Sequence, residues 1–219
     1  ARSGSMQAEK RVTFLRYDNV STMFLVSDDP VNEGREWVES SEDKSNRAKG
    51  SMALLAADGE SVYDGKLTQI KGRGNSTWKG AKRPYQIKLD KKTDLLQTGD
   101  SADKAKTWVL LANFYDPSAV RNMLALDLGR ALQMECNMGY RPVCLFYDGE
   151  FRGLYLLTEK VEVNEGRVDV TDLEKANEKA NPDVEDLTKL ESKTGTTANG
   201  ATYLYCDGMN DPADITGGY

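Results

Sequence analysis

At 219 residues the chain is long enough for one substantial core, and a single domain with an appended piece is the first expectation. Its 35 acidic against 29 basic residues leave a formal charge of -6, which argues against a nucleic-acid partner, because phosphate backbones are held by clustered Lys and Arg. Histidine is absent, which excludes Ser-His-Asp and Cys-His hydrolysis, His-ligated zinc and His acid-base catalysis, and leaves carboxylates, Lys, Arg, amides and hydroxyls to carry any chemistry.

Ala1 to Met6 reads as a vector-derived leader, so residues 1–6 are set apart from the fold. From Arg11 to Leu25 apolar and polar residues alternate around Asp18-Asn19, the pattern of a strand pair, and the polar stretch Ser27 to Gly50 is expected to be a loop. Met52 to Ala56 and Ser61 to Tyr63 flank Asp58-Gly59, a two-residue hairpin signal, and Asp64-Gly65 repeats the punctuation. Lys66 to Lys71 and Tyr85 to Leu89 bracket a glycine-rich turn, and Trp108 to Leu111 is a further short strand.

Asp116-Pro117-Ser118 predicts a helix start with an acidic cap and Pro at the first position, and Val120, Leu124, Leu128 and Leu132 keep helical spacing to about Gln133. Pro142 to Tyr147 and Arg152 to Thr158 form a second hairpin about Asp148-Gly149. After Asn164 the composition changes. Asp172 to Ala180 and Asp183 to Ser192 read as charged helices, Thr194 to Ala201 as a polar linker, and Ile215 to Tyr219 as the start of a strand that continues in a longer chain. No apolar run approaches the ~20 residues of a membrane span. Cys136, Cys144 and Cys206 form no C-x-x-C pair; buried thiols are the first reading and a Cys136–Cys144 bridge the alternative.

Basic residues concentrate between Lys66 and Lys92, which favours a small anionic ligand. Within Lys71-Gly72-Arg73-Gly74-Asn75-Ser76-Thr77-Trp78, two glycines, a guanidinium, an amide and two hydroxyls could converge on phosphate oxygens. On spacing alone the turn matches no phosphate-loop pattern, and a tight hairpin satisfying its own backbone is the stronger reading. Lys88 lies between Ile87 and Leu89, so alternation puts it on the face opposite two apolar neighbours, either solvated or pairing with phosphate. Glu159 and Glu162, at the end of the strand Leu154 to Leu157, could bind Mg2+ or form a solvated cluster with Lys160 and Arg167. Asn113, Arg121 and Asn122 flank the main helix start, whose dipole favours an anion, with capping as the plainer role.

Together these segments resemble the spore-coat CotH kinase family of bacteria. The resemblance is carried by Lys71 to Trp78, Arg83-Pro84-Tyr85-Gln86-Ile87-Lys88-Leu89, Trp108 to Pro117, Val120-Arg121-Asn122 and Gly149 to Glu162, in that order, and spans roughly Met52 to Val170. It implies an α+β fold: a divergent protein-kinase-like N-lobe with a mixed or antiparallel sheet and one main packed helix between Pro117 and Gln133. Residues 7–170 would form the nucleotide-facing part and 171–219 a charged helical segment, linker and strand start. It also implies ATP- and Mg-dependent phosphoryl transfer to Ser or Thr of a protein substrate that is secreted or on a cell or spore surface. Arg73, Gly74, Asn75, Ser76, Lys88, Asn113 and Arg121 would face the nucleotide, with Glu159 as the partner of Lys88 or a catalytic carboxylate. Glu162 would be catalytic and metal-binding, at a position where other members carry aspartate. The alternative is a non-catalytic binding or assembly module of a larger surface or cellulosome-type polysaccharide-degrading protein, reaching an assembly partner through domains outside this chain.

Overall fold

Alternating burial along the strands sets the architecture. The computed structural model describes residues 19–99, 103–134, 137–163, 167–168, 194–196 and 202–204. The chain divides into two units, Ala1–Val170 and Thr171–Tyr219. The first contains β1 (Ser21–Ser27), α1 (Arg35–Ser40), β2 (Arg47–Leu55), β3 (Ser61–Gly72), β4 (Tyr85–Thr93), β5 (Ala105–Leu111), α2 (Arg121–Ala131), β6 (Tyr140–Tyr147) and β7 (Glu150–Glu159). The described part of the second is an antiparallel pair, β8 (Thr194–Thr196) with β9 (Thr202–Leu204).

In β2 every second residue, from Ala48 through Met52 to Leu54, is buried, and in β4 Tyr85, Ile87 and Leu89 are buried while Lys88 is exposed. Such strands cover one side only when the sheet curls on itself, and seven of them close a barrel in the order β1-β2-β3-β4-β5-β7-β6. All neighbours are antiparallel except the closing pair, where β1 runs parallel to β6 from Ser21↔Val143 to Leu25↔Tyr147. The interior is filled by Trp108, Tyr85, Tyr147, Tyr155 and aliphatic residues such as Met23, Leu54 and Ile70. Each side chain of that size stabilises the fold by about 1.5–3 kcal/mol relative to exposure. α1 adds Val38 to the same core.

Both hairpins form where Asp-Gly predicts them. Asp148 and Gly149 take φ +49° and +82°, as a two-residue connection requires. The first is a three-residue loop, Ala57 to Gly59, with Gly59 at φ +94° and its N–H on Ala56 O at 2.9 Å. Asp64-Gly65 is no turn: it lies inside β3, opposite Ala53 and Met52, where ladder hydrogen bonds override local turn preference.

The closed, predominantly β barrel, with two α-helices among the described residues, overturns the expected α+β kinase-like N-lobe. Among the described residues no helix has the role of a main packed helix: α2 begins at Arg121, and Leu124, Leu128 and Leu132 are 60–65% exposed. Asp116 and Pro117 precede α2 in a turn, in which Asp116 accepts the Ser118 and Arg121 N–H groups. The polar stretch Ser27 to Gly50 holds α1 and the start of β2, and β8 occupies the start of the expected linker. Cys144 is a free, buried thiol, so the bridge to Cys136 is not formed. The expected first strand before Asn19, the helices 172–180 and 183–192, and the strand start at 215–219 lie outside the described residues. Among the described residues no helix is long and apolar enough to cross a membrane.

Candidate functional site

The glycine-rich turn joins β3 to β4 and is pinned from below by an indole. A Cβ on Gly72 would lie 2.3 Å from the Trp78 ring, so only glycine lets Trp78 pack flat against the end of β3. Trp78 is 3% exposed, donates its indole N–H to Ser41 O at 2.9 Å, and is covered by the Arg83 guanidinium 4.7 Å from the ring centroid. Gly74 adopts φ +84°, and its carbonyl accepts from Lys44 Nζ at 2.9 Å. Arg73 N–H donates to Pro84 O at 3.2 Å, and Ser76 opens a short 3-10 turn, Ser76–Lys79, whose first carbonyl accepts from Tyr115 Oη at 3.1 Å. The N–H groups of Gly74 and Asn75 have no hydrogen-bond partner among the described residues.

Beside this turn opens a cleft of about 440 Å³. Lys44, Arg47, Lys71, Arg73 and Gln86 line it, with Asp43 as the one carboxylate. The strand register explains the grouping: Arg47, Lys71 and Gln86 are direct neighbours across β2, β3 and β4 on the outer face of the barrel. Asp43 is held by Ser41 Oγ at 2.6 Å and by Ser45 N–H at 3.0 Å; the two serines lower its pKa to about 2, and its carboxylate is engaged by the loop rather than by the cations. None of the four cations is in an ion pair among the described residues. Burial, and then the charges of Arg47, Lys160 and Lys44, hold Lys71 below the usual lysine range, and burial likewise lowers Arg73. The arrangement is a half-buried positive cluster with backbone donors at its edge, which can receive an anion bearing several charges.

The structure sets the expected site residues in several separate places. Arg73, Gly74 and Asn75 line the cleft and Ser76 adjoins it. Lys88 is exposed, two positions along β4 from Gln86, between Gln69 and Thr107, and does not line the cleft. Asn113 and Arg121 shape the α2 start: Asn113 Oδ1 accepts from Asn122 Nδ2 at 2.7 Å, and the largely exposed Arg121 side chain lies 3.7 Å from Asp116. Glu159 is buried opposite Trp108, accepts Gly139 N–H at 2.7 Å and is ion-paired with Arg167, whose guanidinium lies 4.9 Å from the Trp108 ring centroid. Burial raises its pKa. Lys88 and Glu159 are thus on opposite faces of the barrel wall and do not pair. Glu162 accepts from Lys160 Nζ at 2.7 Å. Among the described residues no group of three or more Cys, Asp or Glu side chains could hold a metal ion.

Lys44 and Arg47 were not foreseen. Counting strand partners outward from Asp58-Gly59 brings Arg47 within one residue of Lys71, and the irregularity between Ala48 and Gly50 makes up the difference. A family model described as CotH kinase protein matches residues 70–203, which takes in the glycine-rich turn, β4 to β8 and the start of β9. Comparison with curated proteins finds no match.

Proposed function

Because the chain belongs to the CotH kinase protein family, whose model spans more than half of it, we propose that it binds ATP at the cleft beside the glycine-rich turn and transfers a phosphoryl group to Ser or Thr of a secreted or surface protein. The observation that supports this most is the set of four cations, Lys44, Arg47, Lys71 and Arg73, that line the cleft together with Gly74 and Asn75 against a single carboxylate, Asp43. Phosphoryl transfer is mostly positioning and charge neutralisation, and those are what such a site offers. Magnesium is commonly held by one or two carboxylates together with substrate phosphates. Glu162 fits as one such ligand for an ion arriving with the nucleotide, where it would neutralise phosphate charge.

Isothermal calorimetry and thermal melting with ATP and Mg2+ test the proposal, followed by transfer of labelled phosphate to a generic protein substrate. At a hundredfold excess over Kd a ligand adds about 2.7 kcal/mol, so a melting temperature several degrees higher is expected. No binding and no shift would sink the reading. Binding without transfer would favour the second reading, a non-catalytic module, for which the burial of Glu159 against Arg167 speaks.

A further inference from the structure

Five of the large apolar side chains exposed among the described residues belong to α2 and its immediate ends: Val120 at 40%, and Leu124, Leu128, Leu132 and Met134 at 60–65%. The residues that α2 turns inward are Met123, Leu126 and Gly129, spaced by three and half-buried or buried. At about 100° per residue, Leu124 and Leu128 fall on the opposite side of the helix, with Val120 and Leu132 beside them. The helix is therefore apolar on two sides, and one of them is left open. What ties α2 to its surroundings is polar: Tyr140 Oη donates to Asp127 at 2.8 Å, Asn137 Nδ2 to the Leu126 carbonyl at 2.9 Å, and Asn122 Nδ2 to Asn113 at 2.7 Å. A helix of 11 residues is marginal in water by itself, so most of its stability must come from packing. We propose that the outer face of α2 binds the same face of a second copy of this chain, the two helices packing antiparallel about a two-fold axis at Leu128.

Area and charge both favour a second copy. The five side chains expose on the order of 500 Å², as much as the largest apolar patch that a monomer ordinarily keeps. Two such faces together remove about 1,000 Å² from water, which is where specific interfaces begin. In the antiparallel pair Leu128 meets its own copy at the axis and Leu124 meets the partner's Leu132, so leucine packs on leucine throughout. The chain carries a charge of -6, which keeps copies apart in general, but α2 holds only Arg121, Asp127 and Arg130. Asp127 and Arg130 pair at 2.8 Å, which leaves Arg121 as the unbalanced charge of the helix. Arg121 is the first residue of α2, at the positive end of its own dipole, and its side chain is 77% exposed, with Asp116 no nearer than 3.7 Å. An antiparallel partner brings its negative C-terminal end to that guanidinium, whereas a parallel one would set two positive ends together.

Sedimentation velocity of the whole chain over a wide concentration range tests this, and a reversible monomer–dimer equilibrium with a micromolar Kd is expected. Leu128→Glu sets two carboxylates against each other at the axis and should weaken association by about tenfold or more. Val31→Glu, at an apolar residue 88% exposed between β1 and α1, should change it by less than about twofold. Leu124→Glu and Leu132→Lys should each weaken it, and the double variant, which joins the two new charges across the interface, should recover to within a few-fold of the parent. Circular dichroism melts establish that each variant is folded, and Leu124→Glu carries the test if Leu128→Glu is not. A monomer at every concentration, a dimer indifferent to Leu128→Glu, or a double variant no better than the single ones would overturn the inference. So would association that continues past the dimer, because a two-fold contact closes on itself. A monomeric parent whose melting temperature falls in Leu128→Glu at every concentration would overturn it as well, and would mean that the chain covers α2 itself.

Discussion

Two clusters of basic side chains on the same barrel are built in opposite ways. At the α1 end, Arg35 and Arg152 converge on Glu39, at 2.8 and 3.4 Å, and each also reaches Glu150 at 2.7 Å. Tyr85 Oη donates to the same Glu39, and burial, with the charges of Tyr155 and Glu39, raises its pKa far above the usual phenol range. Two guanidiniums meet Glu39 and Glu150 there, with the exposed Glu36 also on Arg35 at 3.4 Å, so no positive charge is left over. In the cleft, four cations face one carboxylate that is already engaged by its own loop. A neutralised cluster holds elements together, whereas an unneutralised one costs stability until an anion arrives, which is how a binding site differs from a brace.

The largest expected effect comes from breaking the brace. Glu39→Ala would leave Arg35 and Arg152 sharing Glu150, with only the exposed Glu36 besides on Arg35, and the buried Tyr85 hydroxyl without its acceptor. A loss of about 3 kcal/mol in urea unfolding is expected, because removing one partner strands the other charges in a half-buried site. A loss near the ~0.5 kcal/mol of an exposed pair would mean that solvent screens the network, and the contrast with the cleft would then be one of appearance only. Next in size is Gly72→Ala, whose new methyl would meet the Trp78 ring at 2.3 Å. Trp78 must shift off Ser41, at about 1–3 kcal/mol, and the glycine-rich turn resting on it should lose ATP affinity as well. Unchanged stability in a denaturant titration would show that the turn is not seated on the indole.

Much of the barrel wall could be read locally, and its closure could not. Asp58-Gly59 and Asp148-Gly149 mark hairpins because few residues other than Gly, Asn and Asp tolerate positive φ, and alternation in Tyr85 to Leu89 correctly sends Lys88 to the outer face. The β1–β6 pairing joins Ser21 to Val143, a contact between distant stretches that no short pattern encodes, and without it the strands resemble an open sheet. Helical spacing from Val120 to Leu132 predicted a helix; it carried no information about what that apolar face meets. At the site, the glycine-rich turn was visible as a cluster within eight residues. Arg47 and Lys44 were not, since they enter through the fold from a segment whose polar composition reads as loop.

The smallest effect probes the cleft from the side of stability. In the unliganded protein Lys71 is held below its ordinary pKa of 10.5, first by burial and then by Arg47, Lys160 and Lys44, so its ammonium form is disfavoured in the folded state. Lys71→Met should therefore make the free protein slightly more stable at pH 7, by about 0.5 kcal/mol, although it removes a binding residue. The sign with pH follows from linkage. Below its folded pKa the lysine is charged in both states and the penalty is complete; as pH rises from that value towards 10.5, the folded state sheds the proton first and the penalty fades. Urea titrations of both proteins at pH 7 and pH 10 should show the advantage of Lys71→Met shrinking at the higher pH. A variant less stable than the parent at pH 7, or an advantage that grows with pH, would place Lys71 among compensating charges and erase the distinction between the cleft and the Glu39 brace.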